Sequence, residues 1–249
     1  MNVSYERFAY VYDYLMKEVP YEEWVNFLKS KLQRNSIPGN ELLEIACGTG
    51  ELSVRLAKAG FEVTGVDLSD DMLTVASQKA IQNQVDISLF QQNMCELEGL
   101  GSFDIVTIFC DSLNYLRTPE EVQETFRRVY SHLHKDGLFL FDVHSIYKVE
   151  NIFHNNTFAD NDDAVSIIWN CFEGEYPYSV EHDLSFFVLD DETERYDRFD
   201  ELHVQRTFSQ EEYAQWLVSA GFEILEINAD FHHNKPDETS ERIFFTCKK

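Results

Sequence analysis

Short apolar runs alternate with amphipathic segments from residue 42 to residue 142, and this alternation constrains the fold more than any other feature of the sequence. The runs predict strands, and apolar spacings of three and four residues between them predict helices. Repeated units of this size indicate a parallel sheet that is covered on both faces and doubly wound. Strands are predicted at 42–46, 61–66, 87–91, 103–109 and 138–142, and helices at 51–59, 70–82 and 119–133.

Two further helices are predicted ahead of the first strand. The second covers about 21–33 and ends before the turn signal at Pro38–Gly39. The first is two to three turns long. Its apolar residues have helical spacing and are expected to share one face: Tyr5, Phe8, Tyr12 and Leu15.

The stretch from about 164 to 207 breaks the alternation. Its segments VSIIWNCF, DLSFFVL and DRFDELHVQRTF are rich in aromatic and β-branched residues and are separated by acidic or Gly/Pro turns. We predict that they are antiparallel strands inserted after the fifth strand, where they form a lid over the carboxyl ends of the parallel strands.

The C-terminal segment is predicted to complete the first sheet. A capping box from Ser209 to Glu212 begins a helix that ends at Ala220–Gly221. FEILEINADF and ERIFFTCKK then give two strands that pair antiparallel at the sheet edge. The predicted organisation is an α/β core at 1–145, an inserted β subdomain at 146–207 and a C-terminal part at 208–249.

Composition and charge exclude several classes of protein. The 45 acidic and 20 basic residues give a formal net charge of −25, which repels polyanions and disfavours a nucleic-acid partner. No apolar run has the length of a membrane span, and the N-terminus lacks a signal-peptide pattern, so a cytoplasmic location is predicted. Five cysteines without a C-x-x-C pair indicate reduced thiols, and no metal-ligand spacing emerges.

The segment LLEIACGTGEL contains a glycine loop directly after the first predicted strand. In an open α/β sheet, ligands bind beyond the carboxyl ends of the strands, which is where Gly48 and Gly50 lie. A P-loop is excluded because no Gly-Lys-Ser/Thr follows. A dinucleotide fingerprint would have a third glycine at the position of Ser53, and that glycine is missing.

Two acidic residues narrow the choice of ligand. Asp67 ends the second predicted strand, where a carboxylate can accept both hydroxyls of a ribose; a role in capping the following helix is the alternative. Glu44 precedes the glycines, where its charge would repel a pyrophosphate and attract an ammonium or sulfonium group.

These residues resemble the class I S-adenosylmethionine-dependent methyltransferases, whose glycine motif acid-x-[G/A]-x-G-x-G is matched by residues 44–50. The resemblance implies a Rossmann-like seven-stranded sheet and S-adenosylmethionine as the cofactor. It also implies that Asn93, where the family often has aspartate, accepts the adenine amino group. The implied cofactor-binding residues are Glu44, Ala46, Cys47, Gly48, Gly50, Asp67, Leu68, Met72, Asn93, Met94 and Cys110.

More narrowly, the chain resembles a bacterial group of small methyltransferases of largely unassigned substrate. The group has an N-terminal Y-x-x-F-A-x-x-Y-D segment, a D-S-L-N-Y stretch and a β insertion after the fifth strand. The resemblance implies that Tyr5 and Tyr12 fold over the bound cofactor, while core packing of these aromatic residues is the alternative.

Three residues are candidates for the reacting centre, namely Asp111, Tyr115 and His144. A hydroxyl acceptor gains from a general base within hydrogen-bond reach, whereas an amine needs only to be neutral. Helix capping by Asp111, core packing of Tyr115 and a loop position for His144 are the structural alternatives. His203 and Arg206 either face the cleft under the lid or lie on a solvated strand face, and the sequence favours the solvated face.

We therefore hypothesise a methyltransferase that acts on nitrogen or oxygen of a small molecule, as a monomer or homodimer. An RNA or protein methyltransferase would share every cofactor motif. A nicotinamide dehydrogenase is disfavoured by Ser53 and Glu44. A non-catalytic module that binds the cofactor remains a further alternative.

Overall fold

The computed structural model describes residues 12–13, 16–37, 39–190 and 193–249. Five parallel strands belong to the first sheet: β1 (Glu41–Ile45), β2 (Glu62–Asp67), β3 (Ile87–Gln91), β4 (Phe103–Ile108) and β5 (Leu133–His144). The helices associated with them are α1 (Tyr21–Asn35), α2 (Glu51–Lys58), α3 (Asp70–Asn83) and α4 (Pro119–His132).

After the inserted segment, helix α5 (Gln210–Ala220) leads into two strands that complete the first sheet, β10 (Glu223–Ala229) and β11 (Arg242–Lys248). The strand order is β10-β11-β5-β4-β1-β2-β3, with β11 antiparallel to both of its neighbours. The order reverses between β1 and β4, and this is the point at which open α/β sheets form a ligand-binding crevice. The predicted seven-stranded, doubly wound fold is confirmed.

Buried side chains alternate between the two faces of this sheet. Leu43 and Ile45 of β1 pack with α4 and α5, whereas Leu42 packs with α1 and α2. Because helices cover both faces, the sequences of the central strands are continuous apolar runs. Polar side chains that could take part in binding or catalysis therefore lie at the ends of these strands.

Most predicted elements lie within two residues of their observed bounds, and β5 shows the largest difference. The sequence Lys-Asp-Gly at 135–137 is typical of a turn, so the strand is predicted to begin after it at residue 138, but it begins at Leu133. Its register with β4 shifts after the Phe103–Leu133 pair. The turn remains part of the sheet because Asp136 N–H donates to the Lys249 carbonyl and Lys249 N–H donates to the Gly137 carbonyl.

The inserted segment forms a second, four-stranded antiparallel sheet. Three of its strands were predicted and the first was missed, because the polar sequence NTFADN has no apolar alternation and is mostly exposed. A π-helix at Lys148–Phe153 precedes the sheet. Its strands are β6 (Asn156–Asn161), β7 (Val165–Glu173), β8 (Ser179–Asp190) and β9 (Arg195–Arg206).

Of the predicted first helix, only Tyr12 and Asp13 belong to the described residues, and both are helical. Tyr5 lies outside the described residues. None of the helices in the described ranges is long and apolar enough to cross a membrane.

Candidate active site

The glycine loop lies at the carboxyl end of β1 and begins α2. Gly48 and Gly50 have positive φ values of 54° and 74°, which glycine adopts without steric cost. A Cβ added at Gly48 would meet no atom within 4 Å, whereas one at Gly50 would approach Ala76 Cβ to 2.9 Å. Gly50 therefore allows close packing on α3, while Gly48 faces open space that a ligand can fill.

The Asp67 carboxylate is joined to this loop. Its Oδ2 accepts the Gly48 N–H at 2.8 Å, and its Oδ1 accepts the Ser69 N–H at 2.9 Å. Burial raises the pKa of the Asp67 carboxyl, and these backbone donors oppose that shift. Because each carboxylate oxygen can accept more than one hydrogen bond, both oxygens retain capacity for two further hydroxyl donors. The alternative role, capping of α3, belongs to Ser69, whose hydroxyl accepts the Met72 N–H.

Glu44 lies beneath the loop and is fully enclosed by the protein. The Ser53 hydroxyl donates a short hydrogen bond to its Oε2. Burial raises the pKa of the Glu44 carboxyl to about 8. Ser53, which stands where a dinucleotide-binding loop has its third glycine, thus provides a hydrogen-bond donor to the acid, and the raised pKa keeps Glu44 protonated near neutral pH.

The N-terminal segment contacts the same loop. Asp13 Oδ1 accepts the Thr49 hydroxyl at 2.5 Å, and Asp13 Oδ2 lies 2.8 Å from Lys79 Nζ on α3. Tyr12 and Met72 pack with a small apolar cluster of the second sheet. The segment therefore bridges the glycine loop, α3 and the second sheet.

Apolar and amide side chains surround the ends of β2 and β3. Leu68, beside Asp67, is 67% exposed. Asn93 caps a short 3-10 helix by accepting the Cys95 N–H at 3.0 Å through the amide oxygen that was predicted to bind adenine. That oxygen can accept one further hydrogen bond.

The end of β4 is held by the buried carboxylate of Asp142 on β5. Cys110 and Asp111 both have positive φ, and their N–H groups donate to the two Asp142 oxygens at 2.9 and 3.0 Å. Trp24 Nε1–H of α1 donates to the same carboxylate at 2.8 Å, and Arg242 of β11 forms a short ion pair with it. These four donors compensate the burial of the charge.

Asp111 receives three side-chain donors of its own. Arg242 Nη2 lies 2.9 Å from Oδ1, and both Gln205 Nε2 and His144 Nε2 lie 3.2 Å from Oδ2. The charges of His144 and Arg242 hold the pKa of the Asp111 carboxyl well below its usual range despite burial. Burial lowers the pKa of His144, whose Nδ1 has no hydrogen-bond partner among the described residues.

A cavity of about 560 Å³ separates these strand ends from the second sheet. We call it the inter-sheet cavity. All three predicted reacting-centre residues lie on it, together with the basic side chains of Lys148 and Arg242 and with His182 and Gln205 of the second sheet. The rest of its lining comprises Tyr12, Met16, Ile152, Phe153, Phe158, Asp160, Ile167, Trp169, Leu184, Phe186 and His203.

His203 and Arg206 of β9 have different environments. His203 lines the inter-sheet cavity, and its Nδ1 lies 3.0 Å from the Tyr115 hydroxyl. The expectation of a solvated strand face is therefore wrong for His203. Arg206 donates to the carbonyls of Pro177 and Arg117 and does not line the cavity.

Sequence analysis missed Asp142, Arg242, Gln205 and His182. Asp142 had a usable signal, because it is an acid at the end of a predicted parallel strand, as Asp67 is. Arg242 begins a strand that runs antiparallel to β5, which places it beside the carboxyl ends of the parallel strands.

One group of possible metal ligands comes together in the described part of the chain. Glu41, Asp104 and His134 present ligand atoms within 4.8 Å of one another. Glu41 begins β1, so the group lies at the opposite end of the sheet from the glycine loop and the inter-sheet cavity.

Comparison with known proteins defines the class. Residues 42–137 match a family model described as a methyltransferase domain. A Geobacillus sp. (strain WCH70) protein with the name "Putative methyltransferase" is 55% identical over 99% of this chain and 100% of its own length. A crystal structure of an S-adenosylmethionine-dependent methyltransferase from Clostridium acetobutylicum ATCC 824 has a TM-score of 0.89 and 32% identity, covering 98% of each chain.

This chain belongs to the S-adenosylmethionine-dependent methyltransferase family. The family membership, the enzyme class and the cofactor predicted from the sequence are confirmed. A further relative, the dTDP-3-amino-3,4,6-trideoxy-alpha-D-glucopyranose N,N-dimethyltransferase of Streptomyces venezuelae, is 25% identical over 87% of this chain and 90% of its own length.

The residues present fit S-adenosylmethionine. Asp67 retains acceptor capacity for two ribose hydroxyls, and the space over Gly48 is open. Leu68 exposes an apolar surface next to Asp67. A phosphate-bearing cofactor would instead meet the Asp67 carboxylate, and the glycine loop itself has no basic side chain.

Proposed function

We propose that this enzyme transfers the methyl group of S-adenosylmethionine to a nitrogen or oxygen atom of a small molecule bound in the inter-sheet cavity. The cavity itself carries the proposal: its volume of about 560 Å³ lies in the range of small-molecule sites, and Asp111, Tyr115 and His144 line it. Residues 1–145 and 208–249 form the cofactor-binding core, and residues 146–207 form the lid. A site roofed by a sheet suits a small acceptor better than a folded protein or an RNA, and the charge of −25 also opposes RNA.

The cofactor site follows the motif residues. Asp67 accepts the ribose hydroxyls, Leu68, Met72 and Met94 flank the adenine, and Asn93 accepts its amino group. The loop at Ala46, Cys47, Gly48 and Gly50, with Glu44 beneath it and Cys110 opposite, receives the amino-acid end, and Tyr12 closes over the cofactor. When bound, S-adenosylmethionine supplies a methyl group on a positively charged sulfur, so the chain has to align the acceptor and exclude water.

The acceptor atom that we favour is an amine nitrogen. Asp111 is a weak base because Arg242 and His144 stabilise its charged form and its oxygens already accept three donors. An amine needs no strong base, only loss of its proton before attack, and the Tyr115 oxygen can accept one of its N–H groups. The Streptomyces venezuelae relative, named as an N,N-dimethyltransferase of an amino sugar, supports nitrogen as the acceptor.

A turnover screen tests the proposal. S-adenosylhomocysteine release is measured with panels of small amines, alcohols and phenols, and in parallel with ribosomal RNA and a basic protein as acceptors. We expect turnover with small amines, and loss of at least tenfold in kcat with Asp111→Asn or His144→Asn, equivalent to about 1.4 kcal/mol of barrier.

The matched control is Asp200→Asn, at a carboxylate on the far part of β9 that pairs with Arg198 and does not line the cavity. Binding of S-adenosylhomocysteine, followed by calorimetry, checks that each variant retains its cofactor site. Turnover confined to RNA or protein, or full activity of both cavity variants, would overturn the proposal.

A further inference from the structure

A chain of hydrogen bonds connects the second sheet to the reacting centre. It begins at the Trp169 indole on β7 and ends at the Trp24 indole on α1, and its central member is Asp111. The bonds join side chains that are far apart in the sequence, so only the tertiary fold assembles them. Its members, in order, are Trp169, His182, Gln205, Asp111, Arg242, Asp142 and Trp24.

The donors and acceptors in the lid half have a fixed direction. The Trp169 indole can only donate, so His182 Nδ1, 2.9 Å away, accepts. A neutral imidazole that accepts at Nδ1 carries its proton on Nε2, which therefore donates to Gln205 Oε1 at 3.2 Å. The remaining NH₂ group of Gln205 then faces Asp111 Oδ2 at 3.2 Å.

Burial keeps this arrangement intact. His182 and Gln205 are only 4% and 5% exposed, so their hydrogen bonds are largely shielded from water. Burial lowers the pKa of His182 to about 4, and the ring is therefore neutral near physiological pH. A second ring proton would point at the indole N–H and break the chain.

Gln205 is the donor that the second sheet contributes to Asp111. The other two side-chain donors, Arg242 and His144, belong to the first sheet and fix the carboxylate from their own side. Without the lid, Asp111 Oδ2 would keep His144 alone among its side-chain donors, and the carboxylate would turn more freely. The orientation of the Asp111 carboxylate therefore depends on the position of the second sheet relative to the first, through the Gln205 hydrogen bond.

We propose that His182 and Gln205 are positioning residues, which hold the Asp111 carboxylate in its orientation toward the acceptor through the hydrogen-bond chain from Trp169. The proposal rests on the proposed function in one respect, the location of the acceptor beside Asp111. It assigns the second sheet a part in aligning the reacting centre as well as in covering it.

The first test needs neither cofactor nor acceptor. The chain has three tryptophans, so the indole N–H resonances of a ¹⁵N-labelled protein can be followed separately. We expect Asp111→Asn to shift the Trp169 indole resonance in the wild-type background and to leave it unmoved in a Gln205→Met background. Trp216, which packs on Phe208 and Tyr213, serves as the internal reference. An unmoved Trp169 resonance in the wild-type background, or equal shifts in both backgrounds, would overturn the chain.

The second test measures alignment. With an acceptor from the turnover screen, Gln205→Met should lower kcat about tenfold while S-adenosylhomocysteine affinity stays unchanged, which corresponds to about 1.4 kcal/mol of lost alignment. Gln215→Met on the exposed face of α5 is the matched control. His182→Gln, which keeps a donor at the Nε2 position, should retain more activity than His182→Phe. An unchanged kcat in Gln205→Met would overturn the positioning role.

The two tests separate this proposal from the proposed function. A screen without any small-molecule turnover contradicts the proposed function, and the indole shifts still decide whether Gln205 connects the lid to Asp111. Indole coupling together with an unchanged kcat contradicts the positioning role alone.

Discussion

The two halves of the site are built in opposite ways. The half at the ends of β1 and β2 uses residues close together in the sequence, and its polar groups retain hydrogen-bonding capacity. Asp67 accepts two backbone N–H groups and can accept more. The half at the ends of β4 and β5 uses side chains about one hundred positions apart, and those around Asp142 satisfy one another.

This difference indicates that the first half binds the ligand and that the second half is rigid. In the first half, the unused acceptors of Asp67 and the open space over Gly48 are available to the ligand. A closed network of buried charges is costly to disturb and holds its members in one arrangement before any ligand binds. Substitutions in the first half should therefore change affinity, and substitutions in the second should change stability.

The largest effect is expected from Arg242→Met. This change leaves the buried Asp142 and the partly buried Asp111 carboxylates without their shared cation. Removing one partner of a buried charge pair costs about 3–5 kcal/mol, because the remaining charge is uncompensated. The free energy of unfolding, measured by urea titration of tryptophan fluorescence, should fall by that amount.

Arg198→Met is the matched control. Arg198 pairs with Asp200 on the exposed part of β9, and surface pairs contribute about 0–1 kcal/mol. Similar losses in the two arginine variants would show that the Asp142–Arg242–Asp111 network has no special weight in stability.

A smaller effect, on affinity rather than stability, is expected from Asp67→Ala. The variant removes both acceptors for the ribose, so calorimetry should show at least tenfold weaker binding of S-adenosylhomocysteine, or about 1.4 kcal/mol. Asp70→Ala, an exposed acid in the first turn of α3, should leave the affinity unchanged. Equal affinities of the Asp67 variant and the wild type would remove Asp67 from the cofactor site.

The first half could be predicted because its signals are local. Each predicted strand end and helix start there depends on a few neighbouring residues, such as the Ser69 cap and the glycine at position 50. The same reasoning found the capping box at Ser209, whose two reciprocal hydrogen bonds are present. Covalent neighbours determine these features, so a pattern in the sequence is enough.

The second half depends on which distant segments meet. In the sequence, Arg242 is an ordinary basic residue at the start of a strand. Only the pairing of β11 with β5 brings it next to Asp142. Gln205 has no sequence signal at all, because its role follows from the register of β8 and β9 and from the seating of the second sheet. Such contacts require tertiary packing that periodicity does not encode.

A separate effect, on the pH dependence of stability, is expected from the proton on Glu44. The raised pKa of about 8 means that the folded protein retains a proton which the unfolded chain, with an ordinary carboxyl value of 4.5, loses. Folding stability should therefore fall as pH rises between about 4.5 and 8, because the folded state binds more protons there. Glu44→Gln should flatten this part of the pH profile, and Glu62→Gln, on the exposed end of β2, should not.

The same proton connects Glu44 to the cofactor. A positive charge close to the carboxyl favours its ionised form, so binding of S-adenosylmethionine near pH 7 should release a fraction of a proton. Calorimetry in two buffers of different ionisation enthalpy measures that release. Identical proton release by the wild type and Glu44→Gln would show that the Glu44 carboxyl does not respond to the charge of the ligand. A proton release that disappears in Glu44→Gln would show that the buried, protonated Glu44 ionises when the ligand binds. The network around Asp142 differs, because its charges are already paired before any ligand binds.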